Sequence, residues 1–327
     1  MFWLHRLPSY WQSTHVLTWL LLPIEWLYRM VFFVRGKLYA WGIFRQHRVK
    51  AMVIVVGNVV AGGGGKTPLT VALVDRLKNQ GFSVGVITRG YGRKSSELQV
   101  VNDQSTVAEV GDEPLLIFKK CRVPVVVFRN RVQAAQQLMQ LHPQIQILVC
   151  DDGLQHLALT RDLEICVMDS QGLGNGHLLP AGPLREPWPR KTDLLLHTQI
   201  KTLSEGYESS RQLGPWAITH TNQKISLSEL KLKPIEVVSG IAKPQAFVDM
   251  LVNLGFQIQH RSDLPDHDDF SKWHARQPEL PLLCTEKDAV KLWQSHPHAL
   301  AVPLLFEPEN AFWEKFDALV QATPRYH

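Results

Sequence analysis

The chain has 327 residues, of which 45% are hydrophobic and 20% charged, the balance of a globular protein with one large domain or two modest ones. Its formal net charge of +5 is uneven, because residues 1–50 hold seven lysines and arginines against the single acid Glu25. A nucleic-acid-binding protein more often spreads positive charge along a groove, so this asymmetry argues against nucleic acid and favours an anionic surface met by one arm. The four cysteines include no CxxC pair and predict buried thiols in a reducing compartment.

Residues 16–34 predict a helix that is apolar on nearly every side. Pro23, Glu25 and Arg29 interrupt its apolar stretch, which argues against a membrane-spanning helix. A cleaved signal peptide is not expected either, because no short apolar run ends in a small-residue cleavage site. Five of the ten tryptophans lie in the first 41 residues beside a basic run, a pattern typical of a bilayer interface. A helix packed on the protein's own core is the alternative, and the two interpretations are compatible.

From residue 51 onwards, short apolar runs alternate with helical patterns. The predicted strands are AMVIVV, VGVIT, PVVVF, IQILVC, LEICVMD and DLLLHT, and helices are predicted near 66–80, 110–120 and 131–141. Continuous apolar strands separated by helices predict an α/β fold, a parallel sheet with helices on both faces.

A polar stretch at residues 203–215 predicts the end of this domain. Beyond it, IEVVSG, a helix beginning at Pro244, FQIQH, LPLLC and VPLLF predict a second, smaller α/β lobe. The expected organisation is therefore a membrane-associating segment at 1–50, a P-loop domain at 51–203 and a C-terminal lobe at 204–327.

The segment VVAGGGGKT follows the first strand and resembles a phosphate-binding P-loop. In such loops backbone N–H groups surround a phosphate, a lysine neutralises it and a hydroxyl ligates magnesium. Val60 replaces the first glycine of the usual pattern, but the four glycines that follow Ala61 leave room for a phosphate. A dimer-sandwich ATPase would carry lysine at Ala61. The predicted nucleotide-binding residues are Val60, Ala61, Gly62, Gly63, Gly64, Gly65, Lys66 and Thr67.

Three acidic segments follow predicted strands or open helices. Asp151 and Asp152 come directly after IQILVC, where carboxylates hold Mg²⁺ in nucleotide-binding sites, so with Thr67 they are the predicted metal ligands. Asp112 opens a helix and could be a catalytic base or a helix cap. His267 lies among aspartates in LPDHDDF, which could bind metal, tune the histidine or be a polar loop.

Taken together, these residues resemble the tetraacyldisaccharide 4'-kinase family. The matching segments run in order from about residue 55 to residue 291: VGNVVAGGGGKTP, TRGYGRK, GDEP, DDGLQH, NGHLLPAGPLREP, SGIAKPQAF, LPDHDDF and TEKDAVK. The resemblance implies a P-loop kinase that uses ATP and Mg²⁺ to phosphorylate the 4'-hydroxyl of the lipid A precursor disaccharide. It also implies a peripheral protein on the cytoplasmic face of the bacterial inner membrane, docked through its N-terminal helix.

The resemblance also assigns roles to individual residues. Lys66 and Thr67 would hold the phosphates and Mg²⁺, Asp112 would act as base on the sugar hydroxyl, and His267 would pair with it from the second lobe when the lobes close. Weaker substrate contacts are expected at Arg89, Arg131, Gln155 and His156. The alternatives are a soluble P-loop kinase for a small metabolite and a membrane-bound P-loop ATPase scaffold without an acceptor. The sequence leaves the oligomeric state open.

Overall fold

The structure is a computed structural model that describes residues 10–62, 64–199 and 201–324. The helices of these residues are α1 (Val16–Ala40), α2 (Lys66–Asn79), α3 (Val107–Val110), α4 (Asp112–Cys121), α5 (Arg131–Leu141), α6 (Leu227–Leu230), α7 (Pro244–Asn253), α8 (Glu286–Leu292) and α9 (Asn310–Ala322). The strands are β1 (Met52–Gly57), β2 (Val84–Thr88), β3 (Gln99–Val100), β4 (Val125–Val127), β5 (Ile147–Asp151), β6 (Leu163–Met168), β7 (Leu194–His197), β8 (Tyr207–Leu213), β9 (Trp216–Ile218), β10 (Lys224–Ser226), β11 (Ile235–Ser239), β12 (Ile258–Asp263), β13 (Leu282–Thr285), β14 (Leu300–Val302) and β15 (Leu304–Pro308).

The chain folds into two compact units. The first comprises residues 1–89, 123–210 and 308–327, and the second comprises residues 90–122 and 211–307. The predicted contiguous segments 51–203 and 204–327 differ from this division at both ends, because residues 90–122 cluster with the second unit and the C-terminal helix clusters with the first. The polar stretch at 203–215 contains β8, in which Ser209 and Leu213 are buried while Glu208, Ser210 and Gln212 are exposed.

The first unit contains a parallel sheet with strand order β8-β7-β6-β1-β5-β2-β4. Every residue of β1 is buried, as expected of a central strand covered on both faces. Leu69, Leu73 and Leu77 form the buried stripe of α2. Since β1 runs parallel to its neighbours β5 and β6, the loop that follows β1 lies at the carboxyl edge of the sheet beside the ends of those strands. This edge is the usual place for ligands in such folds.

The C-terminal helix α9 belongs to the first unit through an apolar face. Phe312, Phe316 and Val320 recur at helical spacing and are buried. On its polar side Asp317 pairs with Arg76 of α2 at 2.6 Å. The C-terminal helix α9 is therefore part of the core of the first unit, which also contains β1.

The second unit has a mixed sheet with strand order β10-β9-β14-β13-β11-β12. The strands from β14 to β12 are parallel, and β9 pairs antiparallel with both β14 and β10. Phe247 and Leu251 of α7 pack with Val237 and Leu283 of the sheet. Residues 90–122 join this unit because α4 packs against α8, where Lys120 and Glu286 form an ion pair at 2.8 Å.

Candidate active site

The glycine-rich loop of the first unit connects β1 to α2, as its sequence predicts. Gly65 precedes the helix with φ 83°, and Gly62 has φ 120°, both left-handed conformations that disfavour a side chain. The loop thereby places backbone N–H groups at the N-terminus of α2, where the helix dipole favours an anion. Gly63 lies outside the described residues.

The first two residues of the loop, Val60 and Ala61, make backbone contacts with residues 183–184. The N–H of Ala61 donates to the carbonyl of Pro183 at 2.7 Å, and Val60 forms an isolated β-bridge with Leu184. Val60 is also 8% exposed. The predicted nucleotide-binding set starts at Val60, but in this structure the donors of the loop that remain for a phosphate start at Gly62.

Lys66 lies against three oxygen atoms beside the loop. Its Nζ is 3.2 Å from Asn58 Oδ1, 3.4 Å from the carbonyl of Gly62 and 3.4 Å from Asp152 Oδ1. The buried Asn58 also donates its Nδ2 to Gly62 at 3.2 Å, so it fixes both the lysine and the turn. Thr67, the next residue, has a partly buried side chain whose hydroxyl makes no hydrogen bond with any described residue.

The two predicted metal-ligating carboxylates have different surroundings. Asp151 ends β5, is 1% exposed and accepts hydrogen bonds from the hydroxyls of Thr70 at 3.0 Å and Thr88 at 3.3 Å. Asp152 has a left-handed φ of 51° and pairs with Lys66 at 3.4 Å and Arg185 at 3.0 Å. Burial alone would raise the pKa of Asp152, but the positive charges of Lys66 and Arg185 outweigh it and hold that pKa below its usual value.

Two of the predicted substrate contacts, the buried Arg131 and the partly buried His156, hold the loop that follows β5 in place. Arg131 is 3% exposed, and its guanidinium donates to the carbonyl of Asp152 at 3.1 Å and to those of neighbouring residues. His156 accepts the backbone N–H of Arg131 on Nε2 at 3.1 Å. Burial, together with the charges of Arg131 and other arginines, lowers the pKa of His156 to about 4, so the ring is neutral at physiological pH.

The other two predicted substrate contacts differ in their surroundings. Gln155 donates Nε2 to the carbonyl of Asn58 at 3.0 Å and to Glu186 Oε1 at 2.7 Å. Arg89 is exposed directly after β2 and makes no polar contact with any residue in the described ranges. Of the four side chains predicted to contact substrate, Arg89 is therefore the one whose donors are available.

In the second unit, Asp112 and His267 form a hydrogen-bonded pair. Asp112 is the first residue of α4 and 2% exposed, and its Oδ2 lies 2.9 Å from His267 Nδ1. His267 has a left-handed φ of 67°, and its backbone N–H donates to the carbonyl of Gly240 at 3.1 Å. The two residues belong to the same unit, so their contact needs no closure of lobes.

Two lysines of α8 complete this cluster. Lys291 Nζ lies 3.4 Å and Lys287 Nζ 3.9 Å from Asp112 Oδ2. Burial alone would raise the pKa of Asp112, but the hydrogen bond from His267 and the charges of Lys287 and Lys291 bring it down to about 2. Asp112 is therefore ionised at any physiological pH. Across residues 10–62, 64–199 and 201–324 there is no group of three or more His, Cys, Asp or Glu that could hold a metal ion, so the aspartates around His267 form no such cluster.

Sequence reasoning did not single out Asn58, Arg185, Lys287 or Lys291. Arg185 lies in NGHLLPAGPLREP and the lysines in TEKDAVK, segments used only for the resemblance. The spacing of Lys287 and Lys291 is a usable signal, because residues four apart share one face of a helix. Nothing in the spacing of Arg185 points to Asp152.

The N-terminal helix α1 has a buried polar stripe and an exposed apolar surface. Glu25 is 4% exposed and contacts His177 Nδ1 at 2.8 Å, whereas Trp19 and Trp26 are 69% and 71% exposed. The helix continues through Pro23 for 25 residues and is long and apolar enough to cross a membrane by length and composition alone, with 11% of its most apolar stretch buried. The interruption of the apolar stretch by Pro23, Glu25 and Arg29 therefore does not end the helix, and whether the helix spans a membrane stays a prediction. Trp3 and Arg6 of the same arm lie outside the described residues.

Three comparisons relate this geometry to known proteins. The family description "Tetraacyldisaccharide-1-P 4'-kinase" matches residues 17–321. A tetraacyldisaccharide 4'-kinase of Acidovorax sp. is 49% identical over 96% of this chain and 94% of its own, and one of Polaromonas naphthalenivorans is 46% identical over 95% and 93%. The crystal structure of LpxK from Aquifex aeolicus in complex with ATP is similar with a TM-score of 0.82 and 29% identity, covering 95% of this chain and all of the other.

Proposed function

The chain belongs to the tetraacyldisaccharide 4'-kinase family, and on that premise we propose how its own residues bind the nucleotide, orient the acceptor and meet a membrane. It is an ATP-dependent kinase that transfers the γ-phosphate to the 4'-hydroxyl of a tetraacyl glucosamine disaccharide 1-phosphate, the lipid A precursor. The single observation that carries the mechanism is the pairing of Lys66 with Asp152 beside the glycine-rich turn at the N-terminus of α2.

ATP phosphates bind at this turn. The N–H groups of Gly62, Gly64 and Gly65 and the N-terminal dipole of α2 supply positive potential, and the ammonium of Lys66, 3.4 Å from Asp152, supplies a further positive charge for the phosphate oxygens. Asn58 keeps the turn and the lysine in register, because one side-chain amide contacts both. Arg131 and His156 hydrogen-bond to each other and, through Arg131, to the carbonyl of Asp152. We therefore assign them the role of positioning the loop after β5 and not of contacting substrate.

Thr67, Asp152 and Asp151 fit a site for Mg²⁺. The hydroxyl of Thr67 has no hydrogen-bond partner among the described residues, the carboxylate of Asp151 accepts a buried hydrogen bond, and the carboxylate of Asp152 pairs with Arg185. Hard oxygen donors of this kind suit Mg²⁺. Bound there with the nucleotide, Mg²⁺ would neutralise charge on the phosphate oxygens. Thr70 and Thr88 fix the rotamer of Asp151, and Arg185 orients Asp152.

The acceptor hydroxyl is oriented by Asp112. Its carboxylate is ionised and can accept the hydroxyl proton as the new P–O bond forms and the bond from the γ-phosphorus to the bridging oxygen of ADP breaks, and His267 holds it in one orientation. A pKa of about 2 makes Asp112 a weak base, which suits phosphoryl transfer because the loose transition state depends on alignment more than on proton removal. Lys287 and Lys291 keep the carboxylate charged.

The exposed apolar surface of α1 meets the cytoplasmic leaflet of the inner membrane. Trp19, Trp26 and Phe33 are each more than half exposed, an arrangement that favours burial in lipid over contact with water. The basic residues that follow, from Arg35 to Lys50, add attraction to anionic headgroups. Because Glu25 and the rest of the polar stripe remain bound to the first unit, we propose that the helix lies on the membrane instead of crossing it.

The function is tested by incubating the protein with radiolabelled ATP and a tetraacylated disaccharide 1-phosphate in mixed micelles and chromatographing the lipid fraction. A labelled lipid with phosphate at the 4' position is the expected product, and water-soluble sugars should stay unlabelled. Rapid ATP hydrolysis without lipid product would instead indicate an ATPase scaffold. Transfer to a soluble sugar would indicate a small-metabolite kinase.

A further inference from the structure

The polar stripe of α1 contacts the two loops that support the phosphate-binding site. The hydroxyl of Tyr28 donates to the carbonyl of Arg185 at 2.7 Å, and Arg35 donates to the carbonyl of Gln155 at 2.9 Å. Glu25 accepts the N–H of Leu178 at 3.1 Å and contacts His177 at 2.8 Å. All of these partners lie in the first unit.

Residues 177–186, here called the bridging segment, connect these contacts to the nucleotide loop. On one side the segment receives Glu25 and Tyr28. On the other, the carbonyl of Pro183 accepts the N–H of Ala61 at 2.7 Å, and the N–H of Arg185 donates to the carbonyl of Val59 at 2.7 Å. A single short segment, folded into turns by its own backbone hydrogen bonds, therefore separates the helix from the beginning of the phosphate loop.

Two side chains carry the connection further. The guanidinium of Arg185 contacts Asp152 at 3.0 and 3.3 Å, and Asp152 in turn pairs with Lys66 at 3.4 Å. Gln155, whose backbone is held by Arg35, donates to Asn58 at 3.0 Å, and Asn58 contacts Lys66 at 3.2 Å. Both routes begin on α1 and end at the same lysine.

We infer that α1 is a positioning element of the nucleotide site as well as a membrane-facing helix, with Tyr28 and Arg35 as positioning residues that act on Lys66 through Arg185 and Gln155. This rests on the proposed role of Lys66 and the glycine-rich loop in ATP binding. A hydrogen bond to a main-chain carbonyl is directional, so it fixes where the side chain of Arg185 begins. The exposed apolar side chains of α1, among them Trp19, Trp26 and Phe33, contribute no hydrogen bond to this network.

The variant Tyr28→Phe isolates the effect, because it removes one hydroxyl and no apolar surface. We expect the KM for ATP to rise about two- to tenfold, the range of one net hydrogen bond, while the KM for the lipid acceptor stays the same. Cosedimentation with anionic vesicles should match the wild-type chain, and the thermal midpoint should fall by only about 2–4 °C, as expected for the loss of one hydrogen bond. Tyr207→Phe is the matched control, since Tyr207 packs edge-on against Phe312 and its hydroxyl makes no hydrogen bond within the described part of the chain.

A double-mutant cycle distinguishes positioning through Arg185 from a general loosening of the protein. If Tyr28 acts through Arg185, Tyr28→Phe should have no further effect on the KM for ATP in an Arg185→Met background. Additive effects, or an unchanged KM for ATP in Tyr28→Phe, would overturn the inference. Arg35→Gln tests the second route with the same readouts and is expected to raise the KM for ATP as well.

The outcome is separable from failure of the proposed function. If Lys66→Ala loses turnover while Tyr28→Phe and Arg35→Gln keep the normal KM for ATP, the glycine-rich loop binds ATP and only the role given to α1 is wrong. If Lys66→Ala keeps normal turnover, the assignment of the loop itself fails.

Discussion

Asp112 and His267 are separated by 155 residues in the chain, yet Oδ2 of the aspartate lies 2.9 Å from Nδ1 of the histidine within one compact unit. The carboxylate is almost fully buried, and two lysines of α8 neutralise it. An ionised, oriented and desolvated carboxylate is suited to receiving a sugar hydroxyl.

Replacing Asp112 should affect the transfer step more than ATP binding. Asp112→Asn keeps the shape and one hydrogen bond to His267 but removes the charge, so kcat should fall about 10²- to 10⁴-fold with little change in ATP affinity. Steady-state kinetics and calorimetric titration with ATP measure the two effects. Asp103→Asn is the control in the same unit, because Asp103 is highly exposed and pairs only with Arg122 among the contacts described. A loss confined to ATP affinity would place Asp112 at the nucleotide instead.

Replacing His267 should change the acidic side of the pH–rate profile. In His267→Asn the strongest interaction that lowers the pKa of Asp112 is weakened, so this pKa should rise from about 2. The loss of kcat/KM on acidification would then begin at a higher pH than in the wild-type chain. The profile is measured between pH 4 and 8, with unfolding checked at each pH. An unshifted acidic limb would show that His267 does not tune Asp112.

Lys66 should be required for turnover. Lys66→Ala removes the cation at the glycine-rich turn and leaves Asp152 with Arg185 as its remaining charged partner among the described contacts, so most phosphoryl transfer should be lost. Labelled lipid product is the measurement, and Lys78→Ala, at the far end of α2, serves as control for the loss of a helix lysine. Near-normal turnover in Lys66→Ala would contradict the proposed mechanism.

The neutral state of His156 should make stability depend on pH. Its pKa falls from 6.5 to about 4 on folding, so between these values the unfolded chain binds more protons and the folded state loses stability as pH falls. The loss begins as pH falls below 6.5 and is complete once pH falls below about 4. Urea unfolding of the wild-type chain and of His156→Asn across this range measures it. The variant should show a flatter profile, and parallel profiles would show that His156 is not the group responsible.

Membrane binding should depend on the exposed side of α1. The structure makes point variants more informative than deletion of residues 1–35, because deletion also removes the contacts of Glu25 and Tyr28 with the bridging segment and that of Arg35 with Gln155. Trp19→Ser combined with Trp26→Ser should lower vesicle cosedimentation severalfold and leave ATP affinity unchanged. Unchanged cosedimentation would mean that another surface meets the membrane.

Much of the fold follows from local pattern. The apolar runs of β1, β2 and β5, the glycine-rich turn after β1 and the helix begun by Pro244 all lie where the sequence predicts them, because each depends on neighbours within a few residues. The domain boundaries do not follow in this way. Residues 90–122 join the second unit through the packing of α4 on α8, which no local pattern indicates.

The site shows the same distinction at the level of single side chains. Arg131 and His156 carry groups that commonly contact substrates, yet Arg131 donates to the carbonyl of Asp152 and His156 accepts the backbone N–H of Arg131. Only the distance between Arg185 and the carboxylate of Asp152 shows that these two residues pair. A basic residue in a motif indicates that a positive charge is needed near that position. Which group it pairs with depends on the strands and loops that the fold brings next to it.

The fold class, the glycine-rich turn, the acidic residues after β5 and the family could all be predicted from local sequence, because each resides in a contiguous segment whose chemistry can be identified without a partner. Which residues form pairs depends on the folded chain: Asp112 pairs with His267 inside one unit, Asp152 pairs with Lys66 and Arg185, and the polar side of α1 contacts the bridging segment. Such pairs depend on contacts between residues far apart in the chain, and burial then sets their charge states.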